Sequence, residues 1–243
     1  MYADSTYKNM LRQKKLGIVT PLANEENTID EFLDRVLPHL MGQDKIFCVL
    51  DNACKDKTKE KVEKTSQKDK RVILVWAPEN RCAVDAYFRG YREALKDNCD
   101  YILEMDGGLS HLPEEIPKFI DAMEKGIDFA AGSRFVKGGK YVTAGKRYLL
   151  SWGGTLLSNL LLGTKMKDMT SGFECFSNKA MKYILDKGVK SKAHFFQTEI
   201  RFYLRDWKWQ EIPITYSNPS ESVEGSTIKE ALKNLWNLRK DNH

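Results

Sequence analysis

The chain has 243 residues with 39 Lys or Arg against 34 Asp or Glu, a formal net charge of +5. Hydrophobic residues at 42% and aromatic residues at 11% are enough for a sizeable core, while 30% charged residues exclude a membrane-embedded body. A charge this small is that of an ordinary solvated surface; it suits anionic substrates or an anionic membrane surface and gives no sign of a nucleic-acid partner.

The opening "MYADSTYKNMLRQKKLG" is polar and basic, without the apolar run of a secretory signal. Residues 1–15 read as a basic extension ahead of one domain over 16–243. Cys48, Cys54, Cys82, Cys99 and Cys175 are odd in number and scattered, which predicts reduced thiols in a cytoplasmic protein.

Four short apolar runs follow: 16–23, 45–53, 71–79 and 100–108. Each is rich in Val, Ile or Leu, too short for a helix, and reads as a strand buried on both faces. Helical patterns separate them. "NTIDEFLDRVLPHLMG" (27–42) spaces Ile29, Phe32, Leu33, Val36, Leu37 and Leu40 along one face. "KTKEKVEKTSQK" (57–68) is a solvated helix, and "CAVDAYFRGYREALKD" (82–97) is amphipathic. "PEEIPKFIDAMEKG" (113–126) opens on Pro and acids and closes on Gly. Alternating strands and helices predict an α/β fold, a mostly parallel sheet with helices on both faces. Ligands of such sheets bind at the carboxyl ends of the strands. There the sequence sets Asn24 and Glu25, Asp51 and Asn52, Glu79 and Asn80, and Asp106, a polar rim built from four strands.

Further on, 128–135 reads as a fifth strand and a long helix starts near Tyr148. Helices follow at 179–187 and 195–207, then a strand at 209–217 and a closing helix at 226–240. The apolar stretch "YLLSWGGTLLSNLLLG" (148–163) falls short of the ~18 apolar residues a spanning helix needs and contains Ser151, Ser158 and Asn159. It reads either as a core helix or as one lying in an acceptor groove or on a membrane surface.

Motifs in this order resemble a known family. "PLANEENTIDEFL", "LDNACKDKT", "AYFRGYREAL", "DGGLSHLPEEIP", "GSRFVKGG", "KRYLLSWGG", "DMTSGFECF", "FQTE" and "EIPITY" are similar to successive segments of the inverting family-two glycosyltransferases with the GT-A fold. Within that family the likeness is greatest to the dolichol- and polyprenyl-phosphate mannosyltransferases. The resemblance implies a nucleotide-binding half over 16–110 and an acceptor half over 111–243. It implies a hexosyltransferase of glycolipid or polysaccharide biosynthesis. Its donor is a UDP- or GDP-linked sugar, its cofactor Mg2+ or Mn2+, and its acceptor a polyprenyl phosphate or a glycan hydroxyl.

Carried over by residue, Pro21, Ala23 and Glu25 lie beside base and ribose, with Asp51, Asn52 and Asn80 along the nucleoside edge. Asp106 sits at the diphosphate and its metal, with Glu104, two residues earlier on the same strand face, as a second candidate ligand. His111 is a hydrogen-bond partner sooner than a ligand, since magnesium prefers oxygen. Arg134 and Arg147 suit phosphate oxygens. Asp168 and Glu199 are candidate bases for a hydroxyl acceptor; an N-cap or turn role for Asp168, a helix-surface or structural one for Glu199, and a helix-cap role for Glu25 stay open.

The departures are specific. Gly108 stands where the family's D-x-D has its second acid, so metal-independent transfer and a nucleotide-sugar-binding protein without activity remain alternatives. Cys82 occupies a glycine position. The family's late R-x-x-G-x-S-K is "NPSESVEGSTIK", without its arginine and with Lys229 out of register. Without a membrane span, any contact with the inner face of a membrane is expected to be peripheral, through Lys146, Arg147 and the helix after them.

Overall fold

The structure is a computed structural model and describes residues 12–142, 145–217 and 225–241. The first half alternates as expected. Strands β1 (Leu16–Leu22), β2 (Lys45–Leu50), β3 (Val72–Trp76) and β4 (Tyr101–Glu104) are joined by helices α1 (Ile29–Val36), α2 (Thr58–Lys68) and α3 (Ala83–Lys96). Then come α4 (Ile116–Met123), β5 (Phe129–Ser133), β6 (Lys140–Tyr141), α5 (Lys146–Leu162), β7 (Glu174–Ser177) and α6 (Asn178–Lys187). The chain ends with α7 (Phe195–Tyr203), β8 (Trp209–Pro213), β9 (Thr215–Tyr216) and α8 (Gly225–Asp241).

Seven strands form one sheet in the order β3-β2-β1-β4-β7-β5-β8. β7 runs antiparallel to both its neighbours, and the other pairings are parallel. The order turns back between β1 and β4, so a crevice opens between their carboxyl ends, the place where such sheets hold ligands.

Strand parity divides the core. Ile18, Leu103 and Met105 face α1 and α4 and pack with Phe32, Val36, Phe119 and Ile120. Val19, Phe47 and Ile102 face the other way, toward Tyr91, Phe176, Met181 and Ile200 of the second layer. Each fully buried Leu, Ile or Phe contributes roughly 1.5–3 kcal/mol. By the same alternation Glu104 and Asp106 point to the α3 side, below the residues of the site.

Three elements differ from the sequence expectation. The helix over 27–42 stops at Val36, because Pro38 lacks the N–H that would continue it, and Leu37–His39 tightens to a 3-10 turn. The 209–217 strand is two strands in two sheets: Ile214 drops into the core, and the Glu115 carboxylate takes the Thr215 N–H at 3.0 Å, which hands β9 to β6. The segment at 168–177 contributes an unexpected strand, β7, between β4 and β5.

Contact between α3 and β1 depends on Gly90. A Cβ there would lie 2.2 Å from Val19 Cγ1 and 3.1 Å from Val49 Cγ2. Alanine favours a helix interior over glycine by about 1 kcal/mol, but overpacking a close contact costs about 1–3 kcal/mol. Gly90→Ala is therefore expected to lower the urea midpoint of the nucleotide-free protein. A raised midpoint would show that the helix has room to move off the sheet.

Candidate active site

Two adjoining cavities lie along the carboxyl ends of the strands, and Pro21 and Ala83 line both. The smaller, about 430 Å³, is walled by Pro21 and Ala23 after β1, Asp51 after β2, and Asn80 and Cys82 before α3. Asp51 turns its own loop, accepting the Ala53 N–H at 2.8 Å. Asn24, in the left-handed conformation at φ 59, stitches the β1 and β2 loops through Ala53 O and Lys55 N–H. Among the described residues, the buried Asn80 Nδ2 has no hydrogen-bond partner. An unmet buried donor costs roughly 1–3 kcal/mol, which an acceptor atom of a ligand would recover.

Asn52 and Glu25 are placed differently from the rest of the predicted nucleoside edge. Asn52 Nδ2 donates to Pro78 O at 3.0 Å, tying two loops together, and neither Asn52 nor Glu25 is among the lining residues. The Glu25 carboxylate lies against Gly108 instead.

The larger cavity, about 720 Å³, begins at Asp106. The Asp106 side chain is 43% exposed. Tyr87 OH donates to its Oδ1 at 2.9 Å and Ser110 Oγ to its Oδ2 at 3.2 Å, which fixes the carboxylate and leaves it open. Burial, and then the Asp106 charge, keep the Tyr87 phenol protonated as that donor. Glu104 shares the strand face but not the opening. It is fully buried, bonded by Tyr91 OH and reached by Gln197 Nε2 at 3.5 Å. Burial and the neighbouring Glu174 push its carboxyl well above the usual range. The structure thus does not bring Glu104, expected as a second metal ligand, to the opening where Asp106 stands.

His111 accepts the Asp106 N–H at Nδ1, 3.3 Å away, which leaves the proton on Nε2. Burial lowers its pKa, so the ring is neutral. Nε2 is buried with no partner, and the ring packs between Phe173 and Tyr216 on the cavity wall.

Arg134 forms the floor. Its Nε and Nη2 each meet an Asp168 oxygen at 2.8 Å, Nη2 also donates to Thr170 Oγ1 at 2.6 Å, and the rings of Phe135, Tyr141 and Tyr216 surround the guanidinium. Burial would raise the Asp168 carboxyl, but Arg134 overrides it and holds it down to about 2. Both oxygens of Asp168, expected as a candidate base, are engaged by Arg134. Glu199, the other candidate, is placed elsewhere. It is buried away from the cavity and accepts the N–H groups of Lys190 at 2.9 Å and Ser191 at 3.1 Å and the Tyr203 hydroxyl at 2.8 Å.

Sequence reasoning missed the group that holds this floor in place. Arg201, fully buried on α7, pairs with Glu174 and donates to the carbonyls of Asp168, Ser171 and Gly132. An arginine inside the aromatic run "FFQTEIRFYL" was the available signal.

Away from Arg134 the cavity turns apolar. Arg147, Leu149, Leu150 and Leu157 of α5, Phe195 of α7, and Leu232 and Leu235 of α8 line it, with Lys192 and His194 at the side. The Lys146 side chain and residues 218–224 of the late motif lie outside the described residues.

The Asp168 pair sets a pH dependence. Its carboxyl falls from 3.8 to about 2 on folding, so it stabilises the fold above pH 4 and that contribution is lost as pH falls toward 2. The loss is roughly 2 kcal/mol. Asp168→Asn is expected to lower stability at pH 7 by about 3–5 kcal/mol, because it strands a buried guanidinium, and to flatten the acid limb of a urea–pH series. An acid limb identical to wild type would refute the pairing.

Comparison with known proteins gives the family and the fold. The profile of glycosyl transferase family 2 matches residues 17–187. The undecaprenyl-phosphate mannosyltransferase of Micrococcus luteus is 28% identical over 228 residues, 90% of this chain and 93% of that protein. The dolichol-phosphate mannosyltransferase of Pyrococcus furiosus is 30% identical over 93% of this chain and 64% of its own length. Among solved structures, glucosyl-3-phosphoglycerate synthase from Mycobacterium tuberculosis, in complex with Mn2+, UDP-glucose and phosphoglyceric acid, superposes with a TM-score of 0.73 at 14% identity, covering 99% of this chain and 84% of that one. The fold is shared with that enzyme, and the chain belongs to glycosyl transferase family 2, a family of glycosyltransferases.

Proposed function

We propose that the protein moves a hexosyl group, mannosyl by analogy with its relatives, from a UDP- or GDP-linked sugar to the phosphate of a polyprenyl lipid. The larger cavity carries the proposal: it gathers Arg134, Arg147 and Lys192 into the same space as the leucines of α5 and α8. Cations and hydrogen-bond donors suit a phosphate head, and the apolar arm suits the chain behind it. The nucleoside is assigned to the smaller cavity, against Asp51 and Asn80.

In the reaction a phosphate oxygen of the acceptor attacks the anomeric carbon opposite the leaving group. The new carbon–oxygen bond forms as the bond to the diphosphate oxygen breaks, the electron pair leaves with the nucleoside diphosphate, and configuration inverts. Such an acceptor is already anionic near pH 7 and needs no base. Among the described lining residues Asp106 is the one carboxylate, and His111 has Nδ1 engaged, which suits an acceptor of this kind. His194 is the remaining candidate base for a hydroxyl acceptor.

The half-open Asp106 fits a Mg2+ or Mn2+ ion arriving with the diphosphate, since such ions take one or two protein carboxylates and complete their shell from phosphate and water. Held by Asp106, such an ion would supply positive charge to the departing diphosphate. No helix of the described residues is long and apolar enough to cross a membrane. Leu149 at 64% and Leu160 at 77% exposure suit α5 to lie against a bilayer surface, which would make the protein peripheral at a cytoplasmic face. The glycine at 108 favours a second possibility, a nucleotide-sugar-binding protein without transfer.

UDP or GDP is expected to raise the melting temperature by several degrees, since a ligand at a hundred times its Kd adds about 2.7 kcal/mol. Asp51→Ala should remove most of that shift. Absence of calorimetric binding at millimolar nucleotide would defeat the nucleoside assignment.

Labelled nucleotide sugar with a short-chain polyprenyl phosphate tests the acceptor. Transfer is expected, with His194→Ala close to wild type in turnover and Arg134→Gln strongly impaired. Removing a true base costs about 100-fold or more. No transfer to the lipid, with a collapse of transfer to a glycan in His194→Ala, would establish a hydroxyl acceptor instead. Donor binding without transfer or hydrolysis would establish the inactive binder.

A further inference from the structure

Gly108 lacks the side chain that would complete an acidic pair with Asp106, and the structure shows what fills the space. A Cβ at Gly108 would lie 3.2 Å from Glu25 Oε1 and 3.5 Å from Oε2. The backbone at 108 is not in the left-handed region, so nothing in its conformation calls for glycine. The Glu25 carboxylate lies where a side chain at 108 would enter. Gly107 differs: there a Cβ would run into Leu22 Cδ2 at 2.1 Å, which seats the loop after β4 against the end of β1.

Glu25 is fixed where it lies. Its N–H donates to Thr58 Oγ1 at 2.7 Å, and its carbonyl accepts the N–H groups of Thr28 at 3.0 Å and Ile29 at 2.9 Å. The start of α1 is thus capped by the main chain of Glu25, and no backbone amide of the described residues uses its carboxylate. Oε2 accepts Thr28 Oγ1 at 2.6 Å. Oε1, the oxygen nearer Gly108, receives no hydrogen bond and no Lys or Arg from the described residues. Glu25 and Asp106 leave neighbouring strands, β1 and β4, at the crevice where the strand order reverses.

We propose that Glu25 supplies the carboxylate missing at 108, so that Glu25 and Asp106, from two different loops, hold the divalent cation of the bound nucleoside diphosphate. The proposal rests on the nucleotide-sugar assignment above.

The test is Mn2+ binding, followed by the electron paramagnetic resonance of free Mn2+, with saturating UDP and, in parallel, GDP. Nucleotide affinity in EDTA is measured alongside. Glu25→Gln should weaken Mn2+ about tenfold or more, because affinity in oxygen sites follows ligand charge, and leave nucleotide affinity in EDTA unchanged. Glu25→Gln combined with Gly108→Asp should recover most of the loss. Gly108→Ala, which leaves Glu25 chemically intact but crowds its carboxylate, should weaken Mn2+ as well and keeps the test alive if a charge variant fails to fold. Unchanged Mn2+ affinity in Glu25→Gln overturns the proposal. An equal loss in EDTA overturns it too and returns Glu25 to the ribose. If the wild type binds nucleotide but no Mn2+, the cation role falls and the nucleotide assignment stands. If it binds neither nucleotide under any condition, the nucleotide assignment itself falls.

Discussion

Arg201 is the residue on which the second half of the molecule depends. Its charge lies fully buried on α7 between Glu174 of β7 and three carbonyl oxygens, those of Asp168, Ser171 and Gly132. A buried guanidinium is tolerated only when its donors are met, and removing one partner of such a pair costs about 3–5 kcal/mol. Meeting them pins the 168–171 loop to β5 and β7. That loop carries Asp168, which orients Arg134, so the position of the cavity floor is inherited from a group that never reaches the cavity. Antiparallel pairing sets Glu104 directly opposite Glu174. With one arginine for two acids, the Glu104 carboxyl is pushed up, and its bond to Tyr91 places α3 along the strand whose end carries Asp106.

Tyr87 and Tyr91, one helical turn apart on α3, meet Asp106 and Glu104, two residues apart on β4. One helix pitch, about 5.4 Å, nearly equals two strand residues, about 6.6 Å. Sequence alone shows neither the match nor which of the two acids stays open. Alternation puts Glu104 and Asp106 on one face. Only the length of the strand decides that Glu104 lies under the helix and Asp106 beyond it.

The polar rim along the smaller cavity was legible in the sequence because it is built from strand ends. Asp51, Asn80 and Asp106 each follow an apolar run, and parallel topology brings such ends to one edge without long-range detail. The acceptor side was not. Asp168 stands before a polar turn and Glu199 inside a helical run, and the sequence shows the partner of neither. One is claimed by Arg134 and the other by the Lys190–Ser191 backbone, and those partners are 34 and 9 residues away. β7 was hidden for a related reason: "ECFS" is four residues long, and only its neighbours from distant segments make it a strand. Glu25 is intermediate. Its motif marks it as part of the site, but its contact with Gly108 depends on how two loops meet.

Charge sorting across the two cavities bears on how two phosphates are kept apart. Arg134 pairs with Asp168 and Arg201 with Glu174, so these buried charges offset one another. Facing the larger cavity are Asp106, after the end of β4, and, toward the apolar arm, Arg147 and Lys192. On the function proposed here, the acid end repels a bare diphosphate and accepts one that arrives with its cation. The basic end accepts a phosphate without one. At about 8 Å of screening in physiological salt, the two ends act locally on whichever phosphate lies beside them. The same two anions, distinguished by whether they carry a divalent ion, are thereby directed to opposite ends, with the anomeric carbon between them.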